Sequence, residues 1–145
     1  MDTSVAVKWE AIEGVEKYTD LFYVDLKHVD DNIHRKYVGA SNKLIIKNIE
    51  KIANEVPPEK VVIRIPFIPT VNGDKTSIER IADFIKRLEV PWSVHLLPYH
   101  RMAERKYRLI GRKYPMKGFH PPTREEVNRG VESYRRLDIG VEVVW

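Results

Sequence analysis

The chain has 145 residues, enough for one domain of ordinary size with a single hydrophobic core. Its 43% hydrophobic and 32% charged residues exclude a disordered chain, and no apolar run approaches the roughly 20 residues of a membrane-spanning helix. The net charge of +4 is mild, and the absence of cysteine excludes disulfides, thiolate zinc sites, cysteine nucleophiles and iron–sulfur clusters held by this chain.

The N-terminus lacks the basic start, apolar middle and small-residue cleavage site of a secretory signal, so we expect a soluble, cytoplasmic protein. Glutamine is absent, and Lys, Glu, Arg, Ile and Val are abundant, which is typical of proteins from hyperthermophiles. No linker, repeat or low-complexity segment divides the chain, and we expect residues 1–145 to form a single domain.

The first half of the chain predicts a helix, a strand and a second helix. The first helix is expected at about Val5 to Tyr18, although Gly14 lowers its propensity. Asp20–Leu26 is short, apolar and aromatic, which indicates a buried strand. The second helix is expected to be capped by Ser41. Its apolar residues fall on one face: Leu44, Ile45, Ile49, Ile52 and Ala53.

The second half continues this alternation. Val61–Ile68 and Trp92–Leu97 have the composition of buried strands. Between them, a capping box of Thr76 with Glu79 predicts a helix. The inward stripe of that helix contains Ile78, Ile81, Ala82, Ile85 and Leu88.

A second capping box, Thr123 with Glu126, predicts the last helix. Its inward stripe contains Val127, Val131, Tyr134 and Leu137. The chain closes with a short strand in "IGVEVVW". Apolar strands that alternate with amphipathic helices predict an α/β fold with right-handed βαβ units and a parallel sheet whose two faces are both covered.

Polar side chains gather at the predicted carboxyl ends of the strands, where parallel α/β sheets bind ligands. Asp25 and Lys27 are two residues apart, so both side chains point to one face while the backbone stays extended. Arg64 interrupts an apolar strand, and His100 follows the third strand. Each has a plain structural interpretation, such as a rim ion pair worth about 0–1 kcal/mol. Together they suit a small zwitterionic or anionic ligand.

Other kinds of chemistry have less support. A Schiff base at Lys27, as in barrel aldolases, is an alternative function. No neighbouring residue indicates that the Lys27 amine is activated as a nucleophile. The histidines are too few and too scattered for a zinc site, and Asn72 with Gly73 indicates a turn more than a phosphate loop. The basic and aromatic run Arg101–Tyr114 could bind RNA or an acidic partner, but the mild net charge favours a solvated loop. We expect no nucleic-acid or membrane partner.

Several stretches, in this order and spacing, resemble one family. They are "DTS" at Asp2, "YVDLKHVDDNIHRKYVGASNKLIIKNI" from Tyr23, "VIRIPFIPTVN" from Val62, "LLPYHRMAERKYRLIGRKY" from Leu96 and "PP" at Pro121. Over essentially its whole length the chain resembles the later part of glycyl radical enzyme activating enzymes of the pyruvate formate-lyase activating type. These enzymes belong to the radical S-adenosylmethionine superfamily.

The resemblance implies a partial (β/α) barrel and radical chemistry. In that family a [4Fe–4S] cluster on a CxxxCxxC loop reduces S-adenosylmethionine, and the resulting 5′-deoxyadenosyl radical abstracts hydrogen from a glycine of a partner, the glycyl radical enzyme. The resemblance places four residues at the S-adenosylmethionine site: Asp25, Lys27, Arg64 and His100. It also places a monovalent cation near the cofactor carboxylate, ligated by Asp2, Thr3, Asp25 and the carbonyl of Tyr23.

The chain departs from the family pattern in several places. The cysteine loop is absent, as is the Gly-Gly-Glu strand end that receives the methionine amino group, and a family glycine after the histidine is Ala103. We therefore expect the C-terminal half of a partial barrel, with about three parallel strands, flanking helices and a short C-terminal strand. Such a chain is either cut from a longer protein or started late, and it is expected to be inactive alone.

Two further expectations follow if the N-terminal half of the barrel is missing from this chain. The outer edge of the first strand would expose unpaired backbone groups, which predicts edge pairing, a dimer or occlusion by the N-terminal segment. The alternative function is a non-catalytic remnant that binds a nucleotide-like ligand or a protein partner.

Overall fold

The computed structural model describes residues 1–145, which form one parallel sheet in the order β1-β2-β3-β4-β5 with helices between the strands. The strands are β1 Asp2–Thr3, β2 Phe22–Asp25, β3 Val61–Phe67, β4 Ser93–Pro98 and β5 Glu142–Val143. The helices are α1 Trp9–Glu16, α2 Asp31–Val38, α3 Lys43–Glu55, α4 Pro69–Asn72, α5 Lys75–Arg87, α6 Ala103–Leu109 and α7 Arg124–Arg136. The predicted α/β class is confirmed, with three longer parallel strands and a short C-terminal strand. None of the helices is long and apolar enough to cross a membrane.

The sheet has one packed face and one open face. Strand order follows chain order, so right-handed crossovers carry every connecting helix to the same side. On that packed face of β3, Ile63 and Ile65 are fully buried and join a core cluster of 25 residues from strands and helices. Arg64, between them, points to the open face and is half-buried. The prediction that both faces are covered is therefore wrong.

The predicted helix stripes are largely confirmed. Ile45, Ile49 and Ile52 of α3 are buried, as are the predicted stripe residues within α5 and α7, whereas Ala53, Leu88 and Leu137 are partly buried against the core. Leu44 is the exception, because its side chain is 43% exposed. The stripe of α3 is therefore narrower than the sequence indicates.

One of the three predicted helix caps is wrong, and a second is confirmed only in part. The Asp74 carboxylate caps α5 and accepts the Ser77 N–H at 3.0 Å, so Thr76 lies inside the helix. Asn42 directly precedes α3, but the Ser41 hydroxyl accepts the Lys43 N–H at 3.3 Å and also donates to Asp31 at 2.6 Å. The capping box that begins α7 is confirmed, with both of its reciprocal hydrogen bonds present.

Three helices were not predicted from the sequence: α2, α4 and α6. Helix α2 is capped at its N-terminus by Asp30, whose carboxylate accepts two backbone N–H groups, and at its C-terminus by Gly39 with φ +83°. Glycine suits that left-handed C-cap because it has no Cβ. Helix α6 forms within the run that the sequence indicated as a solvated loop.

The outer edge of β2 is covered by the N-terminal segment. Asp2 pairs with Tyr23 and Thr3 with Val24, and the Met1 carbonyl accepts the Tyr23 N–H at 2.8 Å. Of the three outcomes predicted for this edge, occlusion by the N-terminal segment is the one observed.

Candidate functional site

Strand register brings polar residues together on the open face. Asp25 of β2 lies opposite Arg64 of β3, which lies opposite His95 of β4, which in turn lies opposite Glu142 of β5. Side chains alternate along each strand, so Asp2 and Tyr23, which are paired, share this face with Asp25. A row of polar side chains, with carboxylates at both ends and Arg64 and His95 between them, therefore crosses the helix-free face.

An ionic network lies at the β1–β2–β3 end of this row. Arg64 donates from Nε and Nη2 to Asp25 Oδ1 at 2.9 and 2.7 Å. Its Nη1 donates to Asp2 Oδ2 at 2.8 Å, and Nη2 also contacts the other Asp2 oxygen. Lys27 Nζ lies 3.1 Å from Asp25 Oδ2. Asp25 is thus held between two cations, and Arg64 between two carboxylates.

This arrangement keeps Arg64 charged. Burial lowers the pKa of Arg64, but its hydrogen bonds to Asp2 and Asp25 outweigh that effect and raise the pKa above its ordinary value. The guanidinium also lies 5.5 Å from the centre of the Tyr23 ring, within the range of a cation–π contact.

Two of the predicted site residues lie outside this network. His100 is exposed after β4 and makes no hydrogen bond. Thr3 lies opposite Val24 on the packed-face side of β1, and its hydroxyl accepts the Val5 N–H at 3.0 Å. Asp2, Tyr23, Asp25, Lys27 and Arg64 are the predicted residues that the structure brings together.

A cavity of about 290 Å³ adjoins the network at the carboxyl ends of β2 and β3. Its wall is mostly apolar and includes Lys27, Tyr37 and Val71. Tyr107 and Met116, from the segment after β4, close it. Sequence reasoning missed this cavity because α2 and α6, which contribute to its wall, were not predicted.

His28 fixes the chain directly after Lys27. The His28 Nδ1 accepts the Asp30 N–H at 2.9 Å, so Nε2 carries the proton and faces Ser77 Oγ at 3.2 Å. Ser77 donates in turn to Asp74 at 2.5 Å. Burial lowers the pKa of His28, which keeps the ring neutral and the network intact. Ser77 gives its proton to a carboxylate, so this Ser–His–Asp set is a structural tie and not a nucleophile.

No family model matches the chain. The curated proteins to which it is similar include several activating enzymes. The chain is 40% identical over 120 residues to (2S)-3-sulfopropanediol dehydratase activating enzyme of Klebsiella oxytoca, covering 81% of this chain and 37% of that protein. It is 39% identical over 139 residues to trans-4-hydroxy-L-proline dehydratase activating enzyme of Clostridioides difficile, covering 94% and 44%. It is 30% identical over 131 residues to pyruvate formate-lyase-activating enzyme of Staphylococcus epidermidis, covering 90% and 50%.

A solved structure agrees with these relatives. A domain of pyruvate-formate lyase-activating enzyme from Bacteroides vulgatus superposes with a TM-score of 0.75 at 25% identity, covering 99% of this chain and 79% of that one. The chain spans 37 to 50% of the length of the three relatives named above. Sequence similarity and fold together show that the chain is a homologue of part of the glycyl radical enzyme activating enzymes, the family of the pyruvate formate-lyase activating enzyme.

Proposed function

We propose that this chain is the cofactor-holding part of a radical S-adenosylmethionine activating enzyme whose protein substrate is a glycyl radical enzyme. The observation that carries the proposal is the placement of Asp25 between Lys27 and Arg64 on the open face, beside the carboxyl ends of the strands. Residues 1–145 would form one domain, the C-terminal half of a partial barrel, with the open face as part of its interior. When bound, S-adenosylmethionine supplies the radical that takes hydrogen from the partner's glycine.

The residues present suit the amino-acid end of this cofactor. Its carboxylate needs cationic donors, and Lys27 is 34% exposed, so its ammonium can donate to a ligand while it contacts Asp25. Its ammonium needs a carboxylate acceptor, which Asp25 provides. Arg64 orients Asp25 through two hydrogen bonds, and His100 would contact the adenosyl part from the loop after β4.

A monovalent cation would bind beside the cofactor carboxylate. Asp2 and Asp25 both contact one guanidinium, so their carboxylates are close enough to share a cation. With the Tyr23 carbonyl they would make an oxygen-only donor set of the kind that a hard cation prefers, and Thr3 would join it only if its hydroxyl left the Val5 N–H on the packed-face side. In the structure Arg64 contacts both carboxylates, so binding of the ion requires its guanidinium to move away from Asp2.

The iron–sulfur cluster does not fit this chain. The family holds it on cysteines, and the sequence has none. These residues alone are therefore expected to form no radical.

Calorimetric titration with S-adenosylmethionine tests the proposal. The wild-type chain is expected to bind, and Asp25→Asn to weaken binding by about tenfold or more, since a charge-assisted contact contributes about 1.5–3 kcal/mol. Asp20→Asn is the matched control, because Asp20 is exposed and makes no side-chain hydrogen bond, and it should bind like wild type. Lys27→Met provides a second variant if Asp25→Asn fails to fold. No heat with folded wild type, or equal affinities in all variants, would refute the proposed site.

A further inference from the structure

The positive charge of the chain is unevenly distributed along the sequence. Residues 101–117 are strongly basic and are here called the basic segment. It contains seven of the 25 Lys and Arg residues and one of the 21 Asp and Glu residues. The basic segment therefore carries +6, and the rest of the chain carries −2. All of the net positive charge lies on 17 residues that follow β4 at the carboxyl-end rim of the sheet.

Most of these cations have no partner within the chain. Arg101 pairs with Glu104 at 3.4 Å, and the other six have no carboxylate within 4.0 Å. Those six are exposed: Arg105, Lys106, Arg108, Arg112, Lys113 and Lys117. Elsewhere ten of the 18 Lys and Arg residues lie within 4.0 Å of a carboxylate, against one of seven in the basic segment, so unpaired cations are concentrated in this segment.

Large apolar side chains are exposed among these cations. Met102 is 71% exposed, Leu109 is 74% and Ile110 is 65%, which places them among the five most exposed large hydrophobic residues of the chain. Clustering of exposed apolar residues, in contrast to single ones, is typical of interaction sites. The basic segment thus presents charge and apolar area on the same surface.

The inner side of the basic segment is anchored. The Tyr99 and Tyr114 hydroxyls are 2.7 Å apart, and the rings of Tyr107 and Tyr114 meet edge to face at 5.4 Å. Tyr107 and Met116 close the cavity beside Lys27. This anchoring fixes the outward-facing surface next to the candidate site.

We propose that the basic segment is a docking surface for a protein partner that presents an acidic patch containing apolar side chains. Charge complementarity determines the acidic character of the partner, and the exposed Met102, Leu109 and Ile110 require apolar area to bury. Nucleic acid would satisfy the cations but leave these side chains exposed. A membrane is disfavoured because α6 has only seven residues and four of them are charged, so it lacks a continuous apolar face. The surface does not depend on the proposed cofactor site.

Binding of designed peptides to the 145-residue chain tests this surface without a cofactor. The probe is a fluorescent amphipathic helix of Glu, Ala and Leu, with two controls in which Gln replaces Glu or Ser replaces Leu. Anisotropy at physiological salt should show tighter binding of the Glu/Leu peptide than of either control. Arg105→Glu with Arg108→Glu should weaken that binding by about tenfold, as should Leu109→Ser with Ile110→Ser.

The matched control is Lys43→Glu with Lys47→Glu, which makes the same charge change on exposed cations of α3. It should change the affinity less than about twofold. The proposal would be overturned if this control weakened binding as much as Arg105→Glu with Arg108→Glu does. It would also be overturned if the Ser-substituted peptide bound as tightly as the Glu/Leu peptide, because binding would then depend on nonspecific charge alone. Tighter binding to phosphatidylserine vesicles or duplex DNA than to the Glu/Leu peptide would also overturn it. Circular dichroism confirms that each variant is folded.

Discussion

The two faces of the sheet are built from alternate residues of the same strands, yet they differ in almost every physical property. On the packed face, Val24, Ile63 and Leu96 are fully buried under the helices. On the open face, Asp25 and Arg64 keep 21% and 18% of their side chains exposed and bond to each other. The packed face therefore supplies most of the folding free energy, whereas the open face arranges charge for a ligand. Residues one position apart should respond very differently to substitution.

The largest contrast is expected at neighbouring positions of β3. Ile65→Ala should lower the free energy of unfolding by about 2–5 kcal/mol, because it leaves a cavity in the core. Arg64→Met should lower it by about 1 kcal/mol or less, because the ion pairs it breaks are partly solvated and Lys27 still contacts Asp25. Urea unfolding measures both changes. Equal losses would show that the open face also determines stability.

The packed face should also resist added volume. A Cβ on Gly130 of α7 would lie 2.8 Å from Cζ of Phe67, so Gly130→Ala should lower stability by about 1–3 kcal/mol. Gly14 of α1 is the control, because nothing lies within 4 Å of a Cβ there. Gly14→Ala should raise stability by about 0.4–1 kcal/mol. Thermal unfolding distinguishes the two, and a neutral Gly130→Ala would mean that Phe67 can move.

The buried hydrogen-bond chain His28–Ser77–Asp74 makes the free energy of unfolding depend on pH. Burial lowers the pKa of His28, although Asp30 and Asp74 oppose this while Arg80 and His34 reinforce it. The unfolded chain therefore binds the proton more readily, so this stabilisation is complete above the ordinary histidine pKa of about 6.5 and decreases as the pH falls below it. His28→Asn should cost about 1–2 kcal/mol at about pH 7.5 through the lost hydrogen bond to Ser77. Its free energy of unfolding should vary less between about pH 7 and 5 than that of wild type, whereas parallel pH profiles would assign the dependence elsewhere.

The smallest effect is expected at Tyr134, whose hydroxyl is buried in the packed face without a hydrogen-bond partner. Burial raises the pKa of Tyr134, so the hydroxyl stays neutral. Tyr134→Phe removes an unsatisfied polar group and should raise stability by about 1 kcal/mol or less. Tyr99→Phe, which loses the contact with Tyr114, should lower it by about 0.5–1.5 kcal/mol. A loss in Tyr134→Phe would reveal a partner for its hydroxyl.

Much of the fold could be predicted because its signals are local. The capping box at Thr123 and the apolar strand around Ile63 have short-range causes, and both predictions are confirmed. The cap at Asp74 was missed because Thr76 with Glu79 matched the same pattern two residues later. The single packed face could not be predicted, since strand periodicity says which residues share a face but strand order decides whether helices cover it.

The candidate site shows the same division. Asp25, Lys27 and Arg64 could be placed together because the carboxyl ends of parallel strands meet at one rim. The ion pair between Arg64 and Asp2 could not be predicted, because it depends on a two-residue strand that is too short to show periodicity. The roles of His100 and Thr3 remain predictions that calorimetry of their variants can test.

The sequential strand order has a consequence for how the protein holds together. Each strand pairs only with the strands before and after it in the chain, so the molecule resembles a linear array of βα units coupled to their nearest neighbours. In such an array, stability is approximately a sum of unit and interface contributions, and no distant segment is needed to complete the core. A chain that matches about half or less of its relatives can therefore build a continuous core of 25 buried residues. Adding or removing a terminal unit should change stability in steps, without an all-or-none collapse.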